Sequence, residues 1–362
     1  MDGGDKGLKS PLFRVMNKRT KKKIQTECCA KSKEDDMIKR NLIKRVMAAG
    51  AIMAVTLSLA GCGISGSSVK LGAAGVGGGY YAFSNAFAQI ASEENEDLDF
   101  EVKVTAGSTA NIRLLSDGYV DMAIAQADLV DAAYNGTGAT DKKRYRGYSA
   151  VASLYTEACQ IVVRVDSGID SLDDLQGKKV SVGEEESGTQ RNAEQILQMT
   201  GLVESLVDTV NLDYVDAANE LKSGQIDAFF CTAGIQTSVI EELSKECDVK
   251  LIGIDDKCRD RLKSVYGFYT DYTIPAGTYE GQDQDVETLG VRAVLLARDD
   301  MDEEIVEKLT GLLFEHSQDI QYSIPLTFQI DESEAVKNVT IPFHDGAKAY
   351  YQKKGIEIPA EQ

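Results

Sequence analysis

The sequence predicts an α/β protein built as two similar lobes around a central cleft, and three observations carry that prediction. Short β-like runs alternate with helical runs from Val69 onward, the pattern of α/β layers around mostly parallel sheets. One frame of helix end, glycine and strand occurs twice. It reads Leu115-Ser-Asp-Gly118-Tyr-Val120-Asp121-Met122 and again Leu221-Lys-Ser-Gly224-Gln-Ile226-Asp227-Ala228. Gly-rich and hydroxyl-rich turns, Gly77-Gly78-Gly79 and Ser187-Gly188-Thr189, stand between strands and helices. Open α/β sheets bind ligands outside the carboxyl ends of their strands, and two such ends facing each other form a cleft.

The elements follow from periodicity. Val69-Lys-Leu-Gly-Ala-Ala reads as a strand, followed by a glycine loop and a helix with Phe83, Phe87 and Ile90 on one face. Phe100, Val102 and Val104 alternate as in a strand, and Ser108 or Thr109 can cap the helix carrying Ile112 and Leu115. Met122-Ala-Ile-Ala is a buried strand. Further strands are expected at 148–154, 160–165, 179–183, 210–215, 226–232, 249–254 and 290–297. Helices are expected at 189–200, 216–223, 236–246 and 302–321. Gly118 and Gly224 fit the left-handed position that ends a helix.

Composition sets the limits. The chain has 362 residues, enough for two domains, and 43% apolar content supports a core. The net charge of −19 is uneven: residues 1–61 hold fourteen Lys/Arg against six Asp/Glu, which leaves −27 on the remainder. So acidic a body is repelled by phosphates, so no nucleic-acid partner is expected. A polybasic grip on anionic lipid is likewise excluded for the body.

The amino end has the parts of a secretory signal. Ile38-Lys-Arg-Asn-Leu-Ile-Lys-Arg45 is basic, and Val46–Ala60 is nearly all apolar or small. Fifteen residues fall short of the roughly 20 of a membrane-spanning helix. The run ends in Leu59-Ala60-Gly61-Cys62, which resembles the bacterial lipobox. That resemblance implies cleavage before Cys62 and its acylation, hence an extracytoplasmic, lipid-anchored chain. Several acyl chains hold stably where one does not. Residues 62–68 then read as a lipidated cysteine and a Gly/Ser tether. Residues 1–36, ahead of Met37, read as a start-site artefact. Among the later cysteines, Cys159 and Cys231 sit in apolar strand-like runs, while Cys247 and Cys258 flank one strand and can bridge in an oxidising compartment. None has CxxC spacing, so no metal site is expected.

The candidate ligand contacts lie at the turns. Gly78 and Gly79 let main-chain N–H groups approach a solute, and the following helix start adds about half a positive charge. Tyr80 and Tyr81 offer an aromatic wall and a hydroxyl, one of them being core. Ser108 and Asn111 open a helix, and Gln126 and Asp128 end a strand facing the expected cleft. Ser187, Gly188 and Thr189 repeat the anion-binding logic on the opposite wall, with Gly234 ending the matching strand. The glycine run lacks G-x-G-x-x-G spacing, so no dinucleotide or other cofactor is expected. No G-x-S-x-G, H-E-x-x-H or P-loop is present, so no catalytic residue is assigned. His344 reads as a local cap or packing residue.

These pieces, in order, resemble the TAXI family, the receptors of tripartite ATP-independent periplasmic (TRAP) transporters. The likeness runs from Leu71 to Pro359. It includes Gly77-Gly-Gly-Tyr80-Tyr81, Ala106-Gly-Ser108-Thr-Ala-Asn111, Gln126-Ala-Asp128, Ser187-Gly188-Thr189, Ile274-Pro275-Ala-Gly277 and Ile341-Pro-Phe-His344. It implies a type II periplasmic-binding-protein fold, with lobe 1 at 69–160 plus 287–362 and lobe 2 at 161–286. It also implies a small anionic solute, a carboxylate or a glutamate/glutamine-like amino acid, passed to a TRAP-type membrane permease without chemistry. The chain departs from the family pattern at Ala106, at Gly78 and at Glu184-Glu185-Glu186. The competing expectations are a surface ligand sensor and a secreted hydrolase.

Overall fold

The computed structural model describes residues 67–95, 98–138, 142–203, 205–324 and 330–359; the basic leader, the apolar run, Cys62 and the tether to Gly66 lie outside them. Lobe 1 opens with β1 (Ser67–Gly72), α1 (Gly79–Glu93), β2 (Leu98–Lys103), α2 (Ser108–Ser116), β3 (Met122–Gln126) and α3 (Ala127–Asn135). β4 (Tyr148–Arg164) leads into lobe 2. That lobe comprises β5 (Lys179–Ser181), α4 (Gly188–Thr200), β6 (Asp208–Val210), α5 (Tyr214–Ser223), β7 (Ala228–Ala233), α6 (Ser238–Glu246), β8 (Val249–Leu251), α7 (Asp256–Val265) and β9 (Thr270–Ile274). β10 (Val286–Arg298) returns to lobe 1, where α8 (Glu303–Glu315), α9 (Ser317–Ser323) and α10 (Asp345–Lys354) follow.

The strands run in the order β2-β1-β3-β10-β4-β7-β5-β6, with β8 on β4 and β9 on β10. Each lobe repeats one plan: three parallel strands, then an antiparallel strand arriving from the other lobe. β4 pairs with β10 through Ala158 and with β7 from Ala158 onward, so the hand-over between lobes falls at that residue. β3 is buried throughout, and β4 nearly so, which explains their unbroken apolar runs. In lobe 1, Phe83 and Phe87 stack 5.9 Å apart, and Phe83 meets Tyr155 at 6.3 Å. Val306, Leu309 and Tyr351, from the returning segment, join the same core.

The repeated frame is structural down to single bonds. Asp121 Oδ2 accepts from the Lys70 N–H at 2.9 Å, and Asp227 Oδ2 accepts from the Lys179 N–H at 2.9 Å. Arg298 donates to the Gly118 carbonyl and Arg164 to that of Leu221. Gly118 and Gly224 have φ of 75° and 73°, left-handed values that side chains oppose.

Several sequence expectations are corrected. The expected strands at 148–154 and 160–165 are one strand, β4. Thr156 and Glu157 interrupt the apolar run, but the backbone ladder continues across the lobe junction. The strand expected at 210–215 ends at Val210, because the Asp213 side chain accepts from the Asp216 N–H and starts α5. The helix expected at 302–321 breaks at His316, whose φ and ψ are −108° and 19°. Gly107, not Ser108 or Thr109, occupies the cap of α2. Periodicity also missed α3, α7 and β9. Cys247 and Cys258 are free thiols, as are the buried Cys159 and Cys231. His344 caps α10, its Nδ1 accepting from the Gly346 N–H.

Asp121→Ala and Asp227→Ala each remove a bond between a carboxylate and a main-chain N–H. Urea denaturation should show a loss of about 1 kcal/mol for each. A loss at only one of them would contradict the equivalence of the two frames.

Candidate functional site

The lobes meet at a narrow cleft that retains about 40 Å³ of space, room for a few waters. Lobe 1 contributes Gly78, Gly79 and Tyr80 from the start of α1, Ser108 from α2 and Gln126 from the end of β3. Lobe 2 contributes Ser187, Gly188 and Thr189 at the start of α4, Asp213 and Tyr214 at the start of α5, and Thr232 from β7. Glu157, on β4 one residue before the hand-over, completes the lining between them.

The two walls differ in how their helix ends are satisfied. In lobe 2, Ser187 Oγ accepts from the Gln190 N–H at 2.9 Å, and Asp213 caps α5 in the same way. In lobe 1, no side chain among the described residues caps α1, α2 or α3 from its N-cap position. Ser108 Oγ instead accepts from the Gln126 N–H at 3.1 Å. Uncapped N–H groups and the aligned peptide dipoles of the first turn favour an anion, and the starts of α1 and α2 offer both on the lobe 1 wall. Tyr214, Thr189 and Thr232 form a closed polar triangle in lobe 2: Tyr214 OH lies 2.6 Å from Thr189 Oγ1 and donates to the Thr232 carbonyl at 3.0 Å.

Glu157 is 2% exposed. Its Oε2 accepts from Tyr80 OH at 2.6 Å. Burial pushes its carboxyl up to about 8, and hydrogen bonds from Tyr80 and Gln126 counter only part of that. Gln126 is 2% exposed; its Nε2 donates to Asn192 Oδ1 across the cleft at 3.0 Å. Its Oε1 is buried and has no hydrogen-bond partner among the described residues, which is costly in a folded protein.

Further bonds close the lobes on each other. Arg113 binds Glu186 through Nε and Nη2 at 3.2 and 2.7 Å, and the Ala110 N–H donates to the Glu186 carbonyl. Glu186 adopts φ 65°, so the last residue of the unusual triple-glutamate run reaches across to α2. Both side chains are about 40% exposed, so the pair adds little stability but fixes the closed register. Ser238 Oγ donates to the Gly77 carbonyl at 3.1 Å. The lobes approach closely: a Cβ on Gly188 would lie 2.5 Å from Gln126 Cδ.

Four of the expected contact residues lie elsewhere. Tyr81 faces an outer groove of about 550 Å³ with Val76, Val215 and Leu243. Asn111 is buried as a clamp, its Nδ2 donating to the Ala73 and Ile124 carbonyls at 2.6 and 2.8 Å and so tying the ends of β1 and β3. Asp128 lies behind the lining; its Oδ1 is buried with no partner among the described residues, and burial raises its carboxyl to about 6. Gly234 follows β7, its carbonyl accepting from Thr237 Oγ1. Sequence reasoning missed Glu157, Glu184, Asp213, Tyr214 and Thr232. For Glu157 a signal existed, since it is the only acid between Tyr148 and Arg164.

A profile of the NMT1-like family matches residues 71–355. The chain belongs to the NMT1-like family. Solved structures agree on the fold. A protein of Bordetella bronchiseptica RB50 shares 16% identity, with 80% of this chain and 98% of that one covered and a TM-score of 0.53. A structure described as a periplasmic transporter shares 13% identity over 81% and 98%, with a TM-score of 0.51. This NMT1-like chain therefore has the two-lobed, type II periplasmic-binding-protein fold. No described helix is long and apolar enough to cross a membrane.

Glu157 and Asp128 are both held above the ordinary carboxylate range, at about 8 and about 6. The folded chain thus keeps protons that the unfolded chain has lost. Their stabilising contribution is complete below about pH 4 and disappears as pH rises through about 8. Scanning calorimetry without solute should show Tm falling from about pH 5 to 8. Glu157→Gln should shrink that fall by at least about 2 °C. An unchanged slope would mean that Glu157 does not titrate there.

Gly188→Ala places a methyl against the Gln126 amide. Gln126 is a movable side chain, so the lobe should fold while the Gln126–Asn192 bond is lost. Small-angle scattering should report a more open mean shape, and Gln126→Ala in the same chain should restore closure.

Proposed function

We propose that this chain is an extracytoplasmic, non-enzymatic receptor that closes on a small carboxylate or amino acid and presents it to a TRAP-type membrane permease. The observation that carries the reading is the cleft itself. The uncapped starts of α1 and α2 and Gln126 Oε1, which has no partner among the described residues, face a space between two lobes that share β4 and β10. A hinge at those strands opens and closes the cleft, and solute contacts to both walls favour the closed form. The lobes in this reading divide at 160/161 and 286/287. Gly78, Gly79, Tyr80, Ser108, Gln126, Ser187, Gly188 and Thr189 are the contacts, with the acylated Cys62 as anchor.

The TAXI-like order of motifs supports the TRAP assignment, and the basic block, apolar run and Leu59-Ala60-Gly61-Cys62 support the anchor. The neighbour described as a periplasmic transporter is consistent with the role.

A thermal-shift screen against amino acids and small mono- and dicarboxylates tests the proposal. A solute at 100 times its Kd stabilises by about 2.7 kcal/mol. Gln126→Ala and Tyr80→Phe should each weaken binding roughly tenfold. Tyr81→Ala, in the outer groove, should leave affinity unchanged. A silent screen across all three classes would defeat the receptor reading.

A further inference from the structure

The charged side chains lining the cleft are Glu157, Glu184 and Asp213; no Lys or Arg lines it among the described residues. That is a poor lining for a plain dianion. Opposite charge comes only from main-chain N–H groups at the helix starts, chiefly on the lobe 1 wall. The two hydrogen-bonding groups at the inner end, the Glu157 carboxyl and Gln126 Oε1, both offer acceptor oxygens. An anion-receiving lobe 1 wall beside an acceptor-rich interior matches a solute carrying both a carboxylate and an ammonium group.

We propose that Glu157 receives the ammonium group of the solute and gives up its own proton as the solute binds, so that the cleft selects aminated acids over the corresponding 2-oxo acids and dicarboxylates. The inference rests on the solute-receptor reading. The balance is simple. The empty cleft holds Glu157 as a neutral acid beneath Tyr80 OH. The arriving solute is already an ammonium carboxylate. Its cation makes the carboxylate form of Glu157 the stable one, and one proton leaves to solvent per solute bound. No bond to carbon forms or breaks.

Among the described residues, the groups around Glu157 add no competing cation. From α1 comes Tyr80, from its own strand Tyr155 and Cys159, from the start of α3 Asp128, from α5 Tyr214 and from β7 Cys231. Burial pushes all of these upward too, so each is neutral or acidic. Glu184, also raised by burial and by the Asp213 charge, and Asp213 itself complete the acidic lining. Arg191 acts on Asp128 and Tyr269, not on Glu157.

The test is calorimetric titration of the purified protein with matched probes: L-glutamate against 2-oxoglutarate, and L-alanine against pyruvate. Each is run near pH 7 in two buffers of different ionisation enthalpy. The expected result is at least tenfold tighter binding of the amino acid in a pair that binds. Its heat should depend on buffer, reporting release approaching one proton, and that release should vanish above about pH 9. Glu157→Gln should abolish the proton release and reduce the amino-acid preference at least tenfold. Equal affinity for both members of a pair, or amino-acid binding without proton release, overturns the inference while leaving a solute receptor. Should Glu157→Gln fail to fold, the buffer dependence of the unaltered protein decides alone. If amino acids and dicarboxylates across the wider screen all fail to bind, the receptor reading falls and this inference with it.

Discussion

β4 and β10 each pair in both lobes of one continuous sheet, and a strand shared in this way has no freedom to leave one partner without disturbing the other. β4 pairs with β10 up to Ala158 and with β7 from Ala158 onward, while β10 pairs with β3 in one half and β9 in the other. The backbone bonds of these strands are therefore satisfied on both sides of the junction, and buried main-chain groups tolerate nothing less. From this follows the geometry of everything else. The two lobes are held with the carboxyl ends of their parallel strands facing one another, and the helix starts that follow those strands converge on one space. Glu157, a residue before the hand-over, lies where the lobes join.

The electrostatics of that space divide by origin. Positive potential comes from the backbone, through the starts of α1 and α2, which no side chain caps among the described residues. Acidic groups come from side chains, Glu184 and Asp213 beside the buried Glu157. An acid as deeply buried as Glu157 with no cation beside it stays protonated near neutrality. A folded protein retains such a group only at a cost, and a buried, unpartnered Gln126 oxygen beside it adds to that cost. In the proposed receptor a donor entering the cleft satisfies both, so binding and closure reinforce each other. The cross-cleft bonds of Glu186 to Arg113 and of Gln126 to Asn192 set the register in which they do so.

The internal repeat clarifies how the molecule is built. Asp121 and Asp227, Gly118 and Gly224, Arg298 and Arg164 occupy matching places. In each lobe the aspartate fixes the start of the third strand to the first, and the arginine ending a crossing strand ties back to the end of a helix. The symmetry stops at the cleft. Lobe 2 caps α4 and α5 with Ser187 and Asp213, whereas no side chain caps α1 or α2 in lobe 1, so the two walls differ in chemistry.

The sequence by itself determined the alternation of strands and helices, the repeated frame and the turns at Gly78, Ser108, Gln126 and Ser187, because period, glycine stops and strand ends are local signals. It left the hand-over unreadable: Thr156 and Glu157 look like a break in β4 when only the chain is seen. It also misplaced Tyr81, Asn111 and Asp128, since neighbours in a helix or at a strand end point in different directions and only packing selects which reaches the cleft. Tertiary structure alone decided that Asn111 clamps β1 to β3 and that Tyr214 and Glu157, some 57 residues apart in sequence, line one space. The physical reason is that burial, and with it the charge state of Glu157, is a property of two lobes in contact and exists in neither segment alone.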